Sequence, residues 1–293
     1  MPELPEVEAL ALDLKGRLTD RAITRVDLAA FSALKTFDPP LSALHGTLVE
    51  DVTRHGKFLD VATSGLHLVV HLARAGWIRW RDEVPALPAR PNSKSPLAAR
   101  VLLDEDDQGR TNGLDITEAG TKKSLAIYVV RDPQDVPGIA RLGPDPLDEA
   151  FTIEVLGQIL ADAGRAQIKG VLRHQGTVAG IGNAYSDELL HAARMSPFKP
   201  ANALSDGELI TLYAAIRDVL GDAVDRSRGL AASELKREKK SHLAVHGRTG
   251  ETCPVCGDTV REVSFADSSL QYCPTCQTGG KPLADRRMSR LLK

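Results

Sequence analysis

The chain has 293 residues, of which 42% are hydrophobic and 26% are charged. These proportions are ordinary for a folded globular protein, and the length suits about two domains with a small third. They exclude a wholly disordered chain, and the formal net charge of −2 does not by itself indicate a nucleic-acid partner.

The charge is distributed unevenly along the chain. Residues 226–293 carry 13 Lys and Arg against 7 Asp and Glu, whereas residues 1–225 carry 24 against 32. A basic segment that follows an acidic one indicates an anionic partner, although a solvated tail explains the same pattern equally well.

The N-terminus does not resemble a targeting segment, since Glu3, Glu6 and Glu8 stand where a signal peptide carries positive charge. The longest apolar runs, such as Leu66–Leu72, are far shorter than a membrane span of about 20 residues. We therefore expect a cytoplasmic protein with no membrane partner.

The first 130 residues or so have the pattern of an all-β domain preceded by a helix. Apolar residues from Val7 to Leu14 predict a short helix after Pro5, and Pro85–Pro96 reads as a loop. Turn residues separate runs that predict strands at Ile23–Leu28, Thr47–Val52, Phe58–Thr63, His67–Trp80, Arg100–Asp104 and Leu125–Val130. Several short strands with few helices predict a β-sandwich or barrel.

The pattern changes after Arg131–Pro146, which contains four prolines and two glycines and predicts a linker. Arg226–Arg248 is polar and basic and predicts a flexible loop. Between them, helical periodicity appears at Ile153–Asp162, Gln167–His174, Ala184–Arg194 and Asp206–Val224, with Thr152, Asn183 and Ser205 as expected N-caps.

The four cysteines lie near the end of the chain in two CxxC pairs, Cys253 with Cys256 and Cys273 with Cys276, separated by 16 residues. This spacing is typical of a four-thiolate zinc site, and a reducing compartment favours zinc over disulfides or free buried thiols. Four protein ligands leave no open coordination position, so we predict one structural zinc ion.

Five segments, in this order along the chain, resemble the motifs of the formamidopyrimidine-DNA glycosylase / endonuclease VIII family. They are Pro2–Glu8, His55–Leu59, Leu142–Leu147, Gly180–Tyr185 and the closing pattern of His246-Gly247-Arg248 with the cysteine pairs up to Gln277. Each motif alone is weak, but five in order are specific and cover essentially the whole chain.

The resemblance implies an α+β multidomain fold with DNA bound between its two halves. An N-terminal catalytic β-sandwich would occupy residues 1–131 and a helix–two-turn–helix DNA-binding domain residues 147–228. A zinc-ribbon finger would occupy residues 243–280, followed by a basic tail at 281–293. The expected partner is double-stranded damaged DNA, and the expected state is a monomer.

The resemblance also assigns roles at the N-terminus. Removal of Met1 would leave Pro2 with a secondary amine, whose pKa near 8 is low enough for attack on the sugar of a damaged nucleotide. Glu3 would act as general acid and base. Glu6 would be a second proton carrier, or alternatively a carboxylate that stabilises the first helical turn. Lys57 would contact a phosphate and assist β-elimination.

Further residues would hold the DNA. Asn183 matches the family's phosphate-binding asparagine, beside a glycine turn at the start of a helix that offers free N–H donors to a phosphate. Phosphate contacts position a duplex without reading its sequence. The other expected DNA contacts are Lys169, His71, Arg74 and Tyr185.

Three departures from the family pattern limit these expectations. Ser268 occupies the position of the finger arginine that is credited with δ-elimination, and only Arg261 or the tail residues Arg286, Arg287 and Arg290 stand nearby in sequence. Arg74 replaces the methionine that fills the gap left by a flipped base. The lesion-capping loop is shortened between Arg228 and Leu243, which weakens the case for 8-oxoguanine as substrate.

The sequence therefore predicts a bifunctional base-excision repair enzyme, a DNA glycosylase with abasic-site lyase activity that acts on oxidised or ring-opened bases through a Schiff base on Pro2. The alternative is a damage- or abasic-site-binding member of the family with weak or no glycosylase activity. A third hypothesis is a zinc-ribbon protein unrelated to DNA, which the ordered motifs disfavour.

Overall fold

The computed structural model describes residues 1–85, 88–89, 95–265 and 268–284. The chain forms two compact units. The first unit consists of Met1–Arg141 and Arg226–Glu238, and the second of Leu142–Asp225 and the described residues from Lys239 onwards. No helix of the described residues is both long and apolar enough to cross a membrane.

The first unit is built on eight antiparallel strands in the order β5-β7-β6-β1-β2-β3-β4-β8. Strands β1 and β2 pair only at Ala22–Leu48 and Ile23–Thr47, so the strands form two four-stranded halves of a β-sandwich. Apolar side chains of both halves form one core. The strands are β1 (Ala22–Leu28), β2 (Thr47–His55), β3 (Phe58–Thr63), β4 (Leu66–His71), β5 (Gly76–Arg81), β6 (Leu97–Glu105), β7 (Thr111–Glu118) and β8 (Ala126–Val130).

The predicted N-terminal helix is confirmed as α1 (Leu4–Leu18), which packs on β2 and β3. Its buried residues Val7, Leu10, Leu14 and Leu18 recur at helical spacing and join the sandwich core. This packing fixes the start of the chain against the sheet.

Two strand predictions need correction. The run His67–Trp80 is two strands, because Gly76 approaches the Leu72 carbonyl so closely that a Cβ would lie 2.1 Å from its oxygen. Strand β7 is not predicted, because Leu114 and Ile116 are its only large apolar residues. Its Asp115 is buried between Arg81 and Arg100. The predicted loop Pro85–Pro96 lies largely outside the described residues.

The second unit carries the predicted helices. Thr152 and Ser205 cap them as expected, accepting hydrogen bonds from the Val155 and Glu208 N–H groups. Gly182, and not Asn183, is the N-cap of the third helix, so Asn183 is its first helical residue. The helices are α2 (Ile153–Asp162), α3 (Ile168–Arg173), α4 (Asn183–Ala192) and α5 (Asp206–Ser227). A finger follows with β9 (Arg261–Ser264), β10 (Ser269–Tyr272) and α7 (Pro274–Thr278).

The prediction of a flexible loop at Arg226–Arg248 is wrong, since this segment contains α6 (Ala232–His242). Ala232 and Leu235, three residues apart on one face of the helix, are buried in the core of the first unit. The Trp77 indole N–H also donates to the Ala232 carbonyl, at 2.6 Å. Two apolar anchors in a basic segment are therefore enough to order it.

Candidate active site and metal centre

Pro2 and Glu3 lie buried at the start of α1. The Glu3 backbone N–H donates to the Glu6 carboxylate at 2.8 Å, which fixes the backbone immediately before the helix. Glu6 thus has one of its two predicted roles, helix stabilisation. Its role as a proton carrier stays a prediction.

Lys57 is only 7% exposed, so it is not a solvated hairpin lysine. It follows Gly56, whose φ of +56° makes the β2–β3 turn possible. The Gly56 carbonyl accepts a hydrogen bond from Arg54 Nη1 at 3.2 Å, and Arg54 Nε donates to Glu8 of α1 at 2.6 Å. This Glu8–Arg54 clamp ties the turn that carries Lys57 to the helix that begins after Pro2 and Glu3.

The Glu8–Arg54 clamp was missed by sequence reasoning, because its two residues are 46 positions apart. The available signal was a charged residue inside a strand, three positions before Lys57. The Arg54 side chain is 6% exposed, and a buried guanidinium requires a partner.

His71, at the end of β4, packs its ring against Phe58 with 4.6 Å between the ring centroids. Burial lowers the pKa of His71 to about 4, with a further contribution from the charge of Lys57. The ring is therefore neutral at neutral pH and can donate one hydrogen bond and accept one. The charge of Lys57 acts on the His71 ring, so the two side chains are close enough to serve the same site.

Arg74 is exposed on the turn between β4 and β5. The residue before it, Ala73, has a φ of +51°, and Gly76 donates its N–H to the Leu72 carbonyl at 2.8 Å. The turn therefore has a defined shape that presents Arg74 outwards. This placement is compatible with its predicted DNA contact.

At the start of α4, Gln175 holds the glycine turn from both sides. Its side-chain oxygen accepts from the Gly180 N–H at 3.0 Å, and its Nε2 donates to the Ile181 carbonyl at 2.7 Å. Asn183 Nδ2 donates to the Ser269 carbonyl of the finger at 2.8 Å. Among the described residues, the buried Asn183 Oδ1 has no hydrogen-bond partner.

Lys169 is buried beneath the first turn of α4. Its ammonium pairs with Asp187 at 2.6 Å and also donates to Ser186 Oγ and the Asn183 carbonyl. This geometry supports the backbone that carries Asn183, and a direct contact of Lys169 with DNA stays a prediction. Tyr185 is buried nearby, with the Lys239 ammonium 4.6 Å from its ring centroid.

The four cysteine sulfurs lie within 4.8 Å of one another. The Cys256–Cys273 and Cys253–Cys276 sulfurs are 3.3 and 3.9 Å apart. These separations exceed the length of a disulfide, about 2.05 Å, and are close to the roughly 3.8 Å expected between sulfurs around a tetrahedral zinc ion. The residues fit one structural zinc ion, as predicted.

Two of the four cysteines, Cys273 and Cys276, hold their protons more tightly than an ordinary thiol. Burial raises the pKa of Cys273 to about 11, and it raises the pKa of Cys276 as well. Zinc must displace these protons when it binds, so zinc affinity falls with decreasing pH.

Ser268, where the family's finger arginine is expected, lies half-buried between β9 and β10, with its carbonyl accepting from the Phe265 N–H at 2.7 Å. Arg261 is exposed on β9. The tail arginines Arg286, Arg287 and Arg290 lie outside the described residues.

Comparison with known proteins accounts for all three parts of the chain. Residues 1–121 match the formamidopyrimidine-DNA glycosylase N-terminal domain, and residues 142–234 match the formamidopyrimidine-DNA glycosylase H2TH domain, the helix–two-turn–helix. Residues 250–279 match the zinc finger found in formamidopyrimidine-DNA glycosylase and isoleucyl-tRNA synthetase.

Individual relatives agree. The formamidopyrimidine-DNA glycosylase of Symbiobacterium thermophilum is 36% identical over 98% of this chain and 93% of its own. A formamidopyrimidine-DNA glycosylase-like protein of Mycobacterium tuberculosis, described as uncharacterized, is 62% identical over 52% of this chain and 94% of its own. The Lactococcus lactis enzyme in complex with DNA containing an abasic site has a TM-score of 0.80 at 25% identity, covering 94% of this chain and 99% of that one. The chain belongs to the formamidopyrimidine-DNA glycosylase family.

Proposed function

We propose that this protein is a bifunctional base-excision repair enzyme, which removes oxidised or ring-opened bases from double-stranded DNA and then cleaves the abasic strand. The observation that carries the proposal is the placement of Pro2 and Glu3 at the fixed start of α1, in a chain that matches glycosylases along its whole length. The complex of the Lactococcus lactis relative with abasic DNA supports DNA as the partner.

In the proposed reaction, the Pro2 nitrogen uses its lone pair to form a bond to C1′ of the damaged nucleotide. The glycosidic bond breaks and the base leaves with its electron pair and a proton, while Glu3 exchanges a proton with the sugar oxygen or the base. The damaged nucleotide must leave the stack to reach Pro2. The Pro2 nitrogen then loses its proton, and its lone pair forms a second bond to C1′ as the C1′–O4′ bond breaks and O4′ takes a proton from Glu3. The resulting ring-opened iminium acidifies the C2′ proton, and loss of that proton with the 3′ phosphate breaks the strand.

The remaining residues would position the DNA. Lys57, held by the Glu8–Arg54 clamp, would contact the phosphate that departs, and neutral His71 would offer one hydrogen bond beside it. Asn183 retains an amide hydrogen beyond its bond to Ser269 and would donate it to a backbone phosphate. Arg74 would enter the gap left by the flipped nucleotide.

The test is borohydride trapping on lesion-containing and abasic duplexes. We expect a covalent adduct with the wild-type chain, none after acetylation of the N-terminal amine, and an active preparation whose mass shows that Met1 has been removed. Glu3→Gln should suppress base excision while an adduct with a preformed abasic site persists. Absence of any adduct that depends on Pro2 would contradict the proposal.

Ser268 favours a second candidate, a protein that binds damage without processing it. A serine hydroxyl cannot replace a guanidinium on two phosphate oxygens. Tight binding to abasic DNA that survives Pro2→Gly, with no strand cleavage, would support this candidate. Analysis of the cleaved strand also shows whether an active enzyme stops after β-elimination, since β-elimination alone leaves a different 3′ end from β,δ-elimination.

We further propose that the protein acts as a monomer in the cytoplasm. The four zinc-ligating cysteines suit a reducing compartment. Sedimentation at concentrations used for the cleavage assay tests the oligomeric state.

A further inference from the structure

The last turn of α4 contacts the zinc site directly. His191 is 5% exposed, and its Nε2 lies 3.3 Å from the Sγ of Cys253. Cys253 is itself 1% exposed, so no open solvent surrounds its sulfur. The contact joins a helix of the helix–two-turn–helix domain to a metal ligand 62 residues away in sequence.

The proton in this contact must reside on the imidazole. A thiolate bound to zinc has no proton to donate, so the sulfur is the acceptor. The 3.3 Å separation therefore places the N–H of His191 Nε2 against the Cys253 sulfur.

The zinc site has a physical need for such donors. Four thiolates around one Zn²⁺ leave a charge of about −2 in a largely buried cluster, and hydrogen bonds from N–H groups spread this charge. For Cys253 the donor is a side chain from outside the finger.

A second contact joins the same end of α4 to the other cysteine pair. Gln277 Nε2 donates to the Met195 carbonyl at 2.9 Å, while its Oε1 accepts the Cys273 N–H, also at 2.9 Å. At the opposite end of α4, Asn183 bonds to Ser269 of the finger. The helix that carries Asn183 is thus attached to the finger along its length, and one attachment is a metal ligand.

We propose that His191 is a positioning residue of the zinc site, which donates its Nε2–H to the Cys253 thiolate and so fastens the C-terminal end of α4 to the metal. It tunes the electron density on one sulfur and retards the loss of the metal. Through α4, the metal in turn helps to hold Asn183 in place.

The experiment uses the full-length chain with Co²⁺ substituted for zinc and follows the sulfur-to-cobalt charge-transfer band. Loss of a hydrogen bond raises the energy of the sulfur lone pairs, so His191→Phe should shift this band to longer wavelength. His191→Gln, whose amide nitrogen can reach a similar position, should leave the band near that of the wild type. Glu188→Gln is the matched control, because Glu188 joins α4 to the backbone N–H groups of residues 244–246 without touching a sulfur; its band should not move.

Zinc transfer to a chromogenic chelator provides the second measurement. Loss of an outer-shell partner typically costs about 10- to 100-fold in metal affinity, so His191→Phe should release zinc at least about tenfold faster than His191→Gln. The cobalt d–d bands report whether the tetrahedral site survives in each variant. An unshifted charge-transfer band in a His191→Phe protein that retains the tetrahedral site would overturn the proposal, as would equal shifts in His191→Phe and Glu188→Gln.

Discussion

Arg54 is a buried residue that helps to position the candidate catalytic residue Lys57. Its guanidinium bonds both Glu8 of α1 and the carbonyl of Gly56, the residue before Lys57. The N-terminal amine and the Lys57 ammonium would act on one nucleotide, so their relative placement matters. Misplacement by about 1 Å can cost a catalysed step roughly 100-fold.

We therefore predict that Glu8→Gln slows single-turnover strand cleavage by about 10- to 100-fold, with little change in the Kd for abasic DNA. Glutamine keeps the shape of the side chain but removes the charge that holds Arg54. The matched control is Asp51→Asn, which breaks the other α1–β2 ion pair, Lys15–Asp51 at 2.8 Å; both of its side chains are largely exposed, so its loss should have little effect. Equal cleavage by Glu8→Gln and Asp51→Asn would show that the Glu8–Arg54 clamp positions nothing.

His71 predicts a dependence of stability on pH. Its pKa falls from an ordinary 6.5 to about 4 in the folded chain, so between these values the unfolded chain binds the additional proton. The stability contribution of neutral His71 is complete above pH 6.5 and is lost as the pH falls towards 4. The difference sets an upper limit of about 3 kcal/mol.

The measurement is the urea midpoint from pH 7.5 to 4.5 for the wild type and His71→Phe, which keeps a ring beside Phe58. We expect the wild type to lose more stability over this range than the variant. Parallel curves would mean that His71 takes up a proton as readily in the folded chain as in the unfolded chain. Working below about pH 6 also weakens zinc binding, so both proteins are compared at saturating zinc.

At the scale of elements, α6 shows where sequence patterns stop being informative. Lys236 to Lys240 dominate the composition of the segment and predict a solvated loop. The structure is decided instead by Leu235 and Ala232, which enter the core of the first unit, and by the hydrogen bond from Trp77. Trp77 is 155 residues away in sequence, so no local pattern contains this information.

The elements that the sequence did predict are those governed by local chemistry. Thr152 and Ser205 cap helices because a hydroxyl next to free N–H groups suffices. The two CxxC pairs identify the zinc site because spacing alone brings four sulfurs together. Strand β7 and the Glu8–Arg54 clamp escaped prediction because their buried charges are satisfied only by distant partners, such as Arg81 and Arg100 on Asp115.

We predict that Leu235→Ala destabilises the first unit and releases α6. Truncation of a fully buried leucine typically costs about 2–5 kcal/mol, and Leu235 is 1% exposed. Arg237→Ala, two residues along α6 on the exposed face, is the control and should change stability by less than about 0.5 kcal/mol.

Urea unfolding followed by Trp fluorescence measures this difference, since Trp77 donates directly to the backbone of α6. Hydrogen exchange of the α6 amides in Leu235→Ala should increase before that of the sandwich strands. If both variants unfold at the same urea concentration, α6 is not held by its apolar anchors.

At the scale of the whole molecule, the near-zero net charge is the sum of a basic segment and an acidic one. Residues 226–293 carry the excess of basic residues, and they include α6 and the finger, whereas the acidic excess lies in residues 1–225. A DNA enzyme can therefore carry a net charge of −2 if its cationic groups are concentrated where the phosphates lie. Exposed Lys240 of α6 is a candidate for such a group.

We accordingly predict that the affinity for abasic duplex falls steeply with salt, by about 0.9 logarithmic units per phosphate neutralised for each tenfold rise in salt. Lys240→Ala should reduce the slope of log K against log salt by about one. The control is Arg110→Ala, because Arg110 is already paired with Asp106 at 2.9 Å and has little charge to offer DNA. Fluorescence anisotropy from low to moderate salt gives the slopes, and a flat response of the wild type would contradict phosphate neutralisation by basic residues.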